Sequence, residues 1–423
     1  MGRHKEHSRP LAVQAAVLAC ITAAAPTAAQ DRPLTADFPE VYRAGGLSAP
    51  DWAQFSGRGP VGFDGSGNLH VLDHRAAQVI VIDPRGAHLR SVGRSGEGPG
   101  EFELPFQLVV WRDGRFGVSD IFRNTIQIFA PSGRFDRVLQ TGDQGTLREI
   151  RPDPQAIALY AQGSSQGGSQ TFSALEELIG REPQRDSIDD FGIGRIDLTA
   201  EEFVIHPVLQ AWRAPRDDAA EEPPEELSLN ELLDEARMQE AMFGTVEGRF
   251  FEPPLRWDIL SDGTIAYSDS SAYAVKLVGP GGQVVDVLRR PIEPEGVNRR
   301  LRSAAIEREI DRRESLFEDY GGLPDEVRER IEDREFYPEI QIIRQLGATW
   351  EGGLWIRRPG EQPWDNEGPI DVFGPDRQYV GTFAAGTVSM PVAFGPDGLV
   401  AYWEVDELDV PTIVVKRLPV EVR

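Results

Sequence analysis

The chain of 423 residues contains 69 acidic and 44 basic side chains, which gives a formal net charge of −25. A surface that binds nucleic acid needs clustered Lys and Arg, so this charge argues against a nucleic-acid partner and against anionic membranes. Only three lysines occur, and catalysis through a lysine Schiff base is therefore not expected.

Residues 1–29 have the composition of a secretion signal. A basic stretch at 3–9 precedes an apolar run at 11–25 and small residues that end at Ala29. The run is too short and too Ala-rich to predict a transmembrane span, so we expect cleavage after Ala29 and a secreted or periplasmic protein. The single cysteine, Cys20, follows Val-Leu-Ala and resembles a lipobox. A lipid anchor at Cys20, on an envelope protein, is the alternative.

Residues 60–102 contain four short apolar runs separated by turn sequences, a pattern typical of a four-stranded antiparallel meander. Gly67 and Gly86 lie in two of the turns, 19 residues apart, and Asp73 follows the first of them by six. The same spacing recurs with Gly114, Asp120 and Gly133, and again with Gly263, Asp269 and Gly282. Weaker copies near residues 154, 352 and 398 bring the number of units to six, which indicates a propeller or a solenoid.

The order of turn glycine, strand, Asp, strand and Pro-x-Gly, together with the glycine-rich sequence at 93–102, resembles the NHL-repeat and TolB-like six-bladed β-propellers of bacteria. The resemblance implies an all-β, six-bladed propeller over 39–423, after a polar linker at 30–38. The last unit has room for three strands, so we expect a strand near 41–43 to complete it and close the ring.

Two long segments interrupt the predicted blades, and we interpret both as helical insertions on one face of the ring. The first spans 194–253 and contains a capped amphipathic pattern at 228–243. The second spans 293–338 and predicts two helices, separated near residue 321. For the third blade, the outer strands are expected at 171–179 and 185–191, with a helix at 173–179 as the alternative for the first of them.

Strands alternate in direction within a blade, so the first-to-second and third-to-fourth turns share one face. The second-to-third loops and the links between blades share the other. The tight glycine turns all fall on the first face, which we call the tight-turn face. The long segments fall on the second, the loop-rich face. Since a rigid scaffold positions its loops for function, we expect the site on the loop-rich face, around the central channel.

Six side chains in or beside the second-to-third loops are predicted to contact a ligand. These are His74, Arg75, Arg123, Tyr273, Arg357 and Trp364. Arg beside aromatic residues is the composition of binding hot spots. Trp364, in a Gly- and Pro-rich loop, is the strongest single prediction, and a packed loop anchor is the alternative role for it.

Asp73, Asp120 and Asp269 occupy equivalent positions in their blades. We interpret them as caps that accept backbone N–H bonds, and a ring of carboxylates for metal or acid–base chemistry is the alternative. No H-x-x-x-H or C-x-x-C spacing is present, and the scattered candidates for metal ligands are Glu149, Asp258, Asp406 and Asp409. No cofactor is expected, with one divalent metal such as calcium as the alternative.

The sequence contains neither a G-x-S-x-G elbow nor a P-loop, so no catalytic residue is assigned. The leading hypothesis is an exported, non-catalytic propeller that binds a protein, peptide or glycan on its loop-rich face. The rival is a metal-dependent, lactonase-like hydrolase or a lyase with its site in the channel. A structural role in an envelope assembly is a third alternative.

Overall fold

The computed structural model describes residues 31–121, 123–141, 147–163, 188–200, 203–215, 248–318 and 322–423. The signal predicted at 1–29, Cys20 and the helix predicted at 228–243 lie outside these ranges. Within them, no helix combines the length and the apolar character that crossing a membrane requires.

In the described ranges, six antiparallel sheets of four strands form the blades of a β-propeller, which confirms the predicted fold. Blade 1 consists of β2 (Val61–Phe63), β3 (Leu69–Asp73), β4 (Gln78–Ile82) and β5 (His88–Val92). Blade 2 consists of β6 (Pro105–Val110), β7 (Phe116–Asp120), β8 (Thr125–Phe129) and β9 (Phe135–Gln140). Blade 3 consists of β10 (Glu149–Pro152), β11 (Ala158–Gln162), β12 (Gly192–Asp197) and β13 (Ile205–Gln210).

The second half of the ring repeats this plan. Blade 4 consists of β14 (Arg256–Ile259), β15 (Ile265–Ser268), β16 (Ala274–Val278) and β17 (Val284–Arg289). Blade 5 consists of β18 (Gln345–Ala348), β19 (Leu354–Arg357), β20 (Ile370–Phe373) and β21 (Tyr379–Phe383). Blade 6 consists of β22 (Ala393–Phe394), β23 (Leu399–Val405), β24 (Pro411–Arg417) and β1 (Glu40–Gly45). The first strands of neighbouring blades pack beside one another and surround the central channel.

The N-terminal strand closes the ring. β1 pairs antiparallel with β24, with Arg43 opposite Val414, and forms the outermost strand of blade 6. The closure predicted at 41–43 is confirmed. Because this blade joins both ends of the chain, the first and last units are held together by backbone hydrogen bonds, and closed propellers depend on such a contact.

The turn glycines that define the repeat adopt the backbone conformation for which they were singled out. Gly67, Gly114 and Gly263 have φ of 80°, 89° and 85°, and their partners 19 residues later have φ between 78° and 87°. An L side chain is sterically strained in this conformation and glycine is not, so the tight turns favour glycine.

Gly263→Ala isolates that conformational cost. An added Cβ at Gly263 meets no atom within 4 Å, yet φ is 85°, whereas Gly57 has equally open surroundings and no positive φ. We expect Gly263→Ala to lower the free energy of unfolding by about 1 to 2 kcal/mol and Gly57→Ala to leave it unchanged or slightly raised. Urea titration of both variants measures the difference, and equal stabilities would contradict the argument.

The outer strands of blade 3 lie later in the chain than predicted. They are β12 and β13, not 171–179 and 185–191; residues 188–191 precede β12, and the rest of the predicted strands lies outside the described residues. The first insertion therefore does not begin at 194, because blade 3 extends to Gln210. β13 contains Pro207, a residue that seldom occurs in a strand but is tolerated in the outermost one, opposite a register shift at Gly194. This proline is why the sequence pattern did not indicate a strand.

A polar linker was expected at 30–38. Residues 31–34 instead pair with the outer edge of blade 5. Pro33 forms a parallel bridge with Thr382. Leu34 N donates to Thr382 O at 2.9 Å, and Thr382 N donates to Arg32 O at 2.7 Å. An edge strand such as β21 exposes unpaired N–H and C=O groups, so a polar segment without strand periodicity can still add to it.

The second insertion folds as predicted into two helices, α1 (Arg299–Phe317) and α2 (Asp325–Glu332). The Asn298 side chain caps α1 by accepting from Leu301 N at 3.1 Å. At the base, Val297 N donates to Pro338 O and Ile340 N to Glu295 O, both at 2.8 Å, so the two ends of the insertion are paired. It links β17 to β18 and so stands on the loop-rich face between blades 4 and 5.

Indole N–H groups connect neighbouring blades. Each of four tryptophans donates to an acceptor outside its own blade: Trp111 to Ala158 O at 2.8 Å, Trp257 to Gln162 Oε1 at 3.0 Å, Trp355 to Val422 O at 2.8 Å and Trp403 to Gly59 O at 2.9 Å. These rings fill the spaces between sheets, and because their polar edges are paired there, burying them carries no unsatisfied donor.

Candidate functional site

The central channel is crossed by a side-chain contact at its tight-turn end. Arg112, in the first turn of blade 2, stacks over the ring of Trp350, in the first turn of blade 5, at 4.4 Å. Its Nη2 also donates to Trp350 O at 3.1 Å. Blades 2 and 5 face each other across a six-bladed ring, so this contact spans the channel. Burial lowers the pKa of Arg112 below its ordinary value. This pair therefore obstructs the channel at its tight-turn end.

Two of the predicted metal ligands lie on the inner strands but are joined by an arginine. Arg151 forms an ion pair with Glu149 in its own strand and places Nε 3.4 Å from Asp258 Oδ1 in blade 4. Asp258 also accepts from Ala348 N at 2.8 Å and Ile259 N at 2.9 Å. Burial raises the pKa of Asp258, although Arg151 opposes the shift. The group Glu149–Arg151–Asp258 thus links blades 3, 4 and 5.

Four arginines stand at the loop-rich end of this region, three at the starts of inner strands and one at the end of the next strand of blade 5. Arg148 precedes β10, Arg256 begins β14, Arg344 precedes β18, and Arg357 ends β19. We call these four residues the arginine cluster. Arg344 N donates to Arg357 O at 2.8 Å, so these two are backbone neighbours across blade 5. Arg256, Arg344 and Arg357 are half-buried, and Arg148 is exposed.

The cluster is electrostatically unfavourable as it stands. Burial, with the charge of Arg344 next in importance, lowers the pKa of Arg256 to about 10. Burial and Arg357 lower the pKa of Arg344, and burial and Arg256 lower the pKa of Arg357. The guanidinium groups are therefore close enough to repel one another.

The other two metal candidates lie away from this region. Asp406 and Asp409 belong to the exposed loop between β23 and β24, where Asp406 Oδ1 accepts from Leu408 N at 2.9 Å and Val410 N at 3.0 Å. Among the residues that the structure describes, no three His, Cys, Asp or Glu side chains gather as a group that could hold a metal ion.

The repeated aspartates cap the links between blades, as the first interpretation predicted. Asp73 accepts from Ser56 N at 2.9 Å, Asp120 from Glu103 N at 2.7 Å, and Asp269 from Trp212 N at 3.0 Å. Each donor lies in the segment that enters the same blade, so the carboxylate fixes the start of its own blade.

Two predicted ligand contacts are engaged in holding loops. His74 Nδ1 lies 2.7 Å from Pro105 O, in the first strand of blade 2. Arg123 donates from Nη2 to Glu97 O at 2.6 Å and from Nη1 to Glu101 O at 3.3 Å, so it fixes the glycine-rich link. Arg75 is exposed on the loop-rich face and forms no ion pair within the described ranges.

The two predicted aromatic contacts are packed to different degrees. Tyr273 is only 3% exposed and lies between blades 4 and 5, where burial and the Asp371 carboxylate raise its pKa. Trp364 packs partly buried against the apolar cluster of the second insertion, with the Arg308 guanidinium 5.6 Å from its ring. That position matches the loop-anchor alternative.

Of the six predicted contacts, the structure therefore brings Arg357 to the channel mouth. Its Nη1 donates to Asn366 O at 2.5 Å and Asn366 Oδ1 at 3.1 Å, which also ties it to the loop of blade 5. Sequence reasoning missed Arg148, Arg256 and Arg344, because it searched the second-to-third loops. Aligning the repeats at the first strand would have shown an arginine at the start of the strand, or one residue before it, in three consecutive blades.

No protein-family model and no curated protein matches the chain. Among solved structures, the chain is similar to a proposed exported protein from Bacteroides fragilis, with 11% identity and a TM-score of 0.46 over 90% of this chain and 94% of that one. A member of the DUF4221 family from Bacteroides vulgatus shows 9% identity and a TM-score of 0.46 over 90% and 99%. Virginiamycin B lyase from Staphylococcus aureus shows 10% identity and a TM-score of 0.39 over 86% and 96%. At these scores the likenesses add nothing to what the residues themselves indicate about function.

Proposed function

We propose that the protein is an exported, non-catalytic binding propeller that takes a protein, peptide or glycan ligand at the loop-rich mouth of its channel. The observation that carries the proposal is the contrast between the two ends of the channel. Arg112 and Trp350 cross the tight-turn end, whereas half-buried polar side chains stand at the loop-rich end. Export is proposed from the composition of residues 1–29.

The second insertion adds a wall beside this mouth. Phe250, before blade 4, stacks on Phe336 with ring centroids 4.7 Å apart, and its backbone N donates to Glu335 O at 2.8 Å. The helices thereby attach to the segments that enter blades 4 and 5. A wall over one side of a rigid ring is the arrangement by which loops shape a binding site. We do not propose the metal-dependent enzyme, because Arg151 joins the two acids of the channel to each other rather than leaving them open.

A variant that fills the mouth tests the proposal. Gln345, the first residue of β18, is half-buried beside the arginine cluster, and Gln345→Trp would occupy the entrance without a change in charge. Ser66→Trp adds the same ring to an exposed turn on the tight-turn face. On peptide and glycan arrays, we expect binding by the wild type and by Ser66→Trp, and loss of binding by Gln345→Trp.

Circular dichroism melts must first show that both variants are folded. Undiminished binding by folded Gln345→Trp would place the site elsewhere, and an absence of any array ligand for the wild type would remove the support for a peptide or glycan binder.

A further inference from the structure

The arginine cluster gathers cationic side chains from three adjacent blades at one end of the channel. Arg148, Arg256 and Arg344 stand at the starts of the inner strands of blades 3, 4 and 5, and Arg357 lies one strand further out in blade 5. The inner strands are in direct contact, as the bond from Ala348 N to Asp258 shows. The chain as a whole has a net charge of −25, so this is a local reversal of its charge.

The donors of the cluster are largely unused. The Nε atoms of Arg256 and Arg357 are buried and have no acceptor. Within the described ranges, the side chains of Arg148, Arg256 and Arg344 form neither a hydrogen bond nor an ion pair, and Arg357 uses Nη1 alone, on Asn366. A buried donor without an acceptor costs free energy, and a half-buried cation without a partner costs more.

The nearest acids do not compensate the cluster, because they already have a partner. Glu149 acts to raise the pKa of Arg256, yet its carboxylate is paired with Arg151. Asp258 is held by Arg151 and by two backbone N–H groups. The carboxylates of Glu149 and Asp258 are thus bound to Arg151, and the arginine cluster retains a net positive charge.

We propose that the arginine cluster binds an anionic group of the ligand, a carboxylate or a phosphoryl group. This inference rests on the proposed function and adds the chemical class of the ligand to it. Guanidinium groups match the oxygens of both anions and form short, charge-assisted hydrogen bonds with them. A channel mouth with low-dielectric walls also focuses the field of its charges, so an anion is attracted to the cluster although the rest of the surface repels it.

Titration of the full chain with citrate and with inorganic phosphate, at constant ionic strength set with sodium chloride, tests the proposal. Isothermal titration calorimetry should show saturable binding of at least one of the two anions. Stronger binding of citrate would identify the carboxylate as the preferred group, and stronger binding of phosphate the phosphoryl group. Both Arg256→Gln and Arg344→Gln should weaken binding about tenfold or more, since each removes charged hydrogen-bond donors.

Arg85→Gln is the matched control. Arg85 is exposed in a tight turn on the opposite face, so its loss removes the same charge and should leave binding unchanged. Without anion, Arg256→Gln should melt at or above the wild-type temperature, because it removes an unpaired cation. A lower melting temperature would instead show a structural role for Arg256 and would overturn the proposal.

Two further results would overturn the inference: neither anion binds saturably, or the cluster variants bind as Arg85→Gln does. The array experiment separates this failure from that of the proposed function. If Gln345→Trp abolishes array binding while neither anion binds, the mouth is a binding site for uncharged ligands. If anions bind through the arginines while Gln345→Trp leaves array binding intact, the anion site stands and the peptide or glycan site lies elsewhere.

Discussion

Trp355→Ala should lower the free energy of unfolding by about 3 to 5 kcal/mol, the usual cost of deleting a fully buried aromatic side chain. Trp355, on β19, is 0% exposed. Its ring contacts Phe38 before β1, Phe383 in β21 and Phe394 in β22, with centroids 6.1, 5.1 and 5.6 Å away. One side chain therefore joins blade 5, blade 6 and the N-terminal segment, and the cavity left by its removal would open beside the closure of the ring.

The loss would also leave the Val422 carbonyl without its donor, because Trp355 Nε1 bonds to it at 2.8 Å. Trp355→Phe fills most of the volume but cannot restore that bond, so its free energy of unfolding should lie between those of the wild type and Trp355→Ala. Trp212→Ala is the control, since Trp212 is 46% exposed and should cost no more than about 0.5 kcal/mol. Urea unfolding, monitored by circular dichroism, measures the stability of all three variants. Similar midpoints for Trp355→Ala and Trp212→Ala would mean that the closure does not depend on this packing.

The fold was predictable because its signals are local and repeated. A turn glycine, an aspartate and a second turn glycine recur at fixed spacing, and each is constrained within its own hairpin, as the φ values near Gly67 and Gly263 show. The closure was predictable from the number of strands, since the last unit lacked one. The strands of blade 3 were predicted wrongly because Pro207 breaks the sequence pattern of its outermost strand and because β12 begins far along the chain from the end of β11.

The site was less predictable because it depends on ring geometry. The contact of Arg112 with Trp350 joins residues 238 positions apart, on opposite blades, so no local sequence pattern relates the two. The arginine cluster is likewise distributed over three blades, and its members become neighbours only when the inner strands surround one channel. Arg357 was singled out from its loop, but the three arginines beside it occupy strand starts, where an arginine usually means an exposed strand end.

Arg290→Met should destabilise the protein by about 3 kcal/mol, because it removes a cation from a buried ion network. Arg290 follows β17, and its side chain is 4% exposed. Nη1 donates to Asp371 Oδ1 and Nη2 to Asp31 Oδ1, both at 2.8 Å, while the guanidinium lies 4.1 Å from the Tyr379 ring. Asp371 is 0% exposed, so its carboxylate cannot gain water when this partner is lost.

Arg358 limits the loss of stability in Arg290→Met without cancelling it. Its Nη2 donates to Asp31 Oδ2 at 2.6 Å, and its Nε lies 3.3 Å from Asp371 Oδ2, so Asp371 keeps one cation. Arg289→Met is the matched control, because Arg289 is the neighbouring residue in the chain and is exposed. The double variant Arg290→Met with Asp371→Asn should recover part of the stability, since the buried charge is then removed together with its partner. Additive losses would show that the two residues do not act as a pair.

The pH dependence of the Arg290→Met effect should identify the contribution of the N-terminal segment. Burial acts to raise the pKa of Asp31, but the hydrogen bonds from Arg358 and Arg290 outweigh it and lower the pKa below its ordinary value of 3.8. A carboxylate whose pKa is lower in the folded state stabilises that state above its unfolded pKa, and this contribution is lost as the pH falls through the folded value. The stability difference between the wild type and Arg290→Met should therefore narrow on acidification below about pH 4. A difference that stays constant down to pH 2 would mean that the contact between Arg290 and Asp31 contributes nothing to stability, and that Asp31 is held by Arg358 and by the backbone pairing of its segment with Thr382.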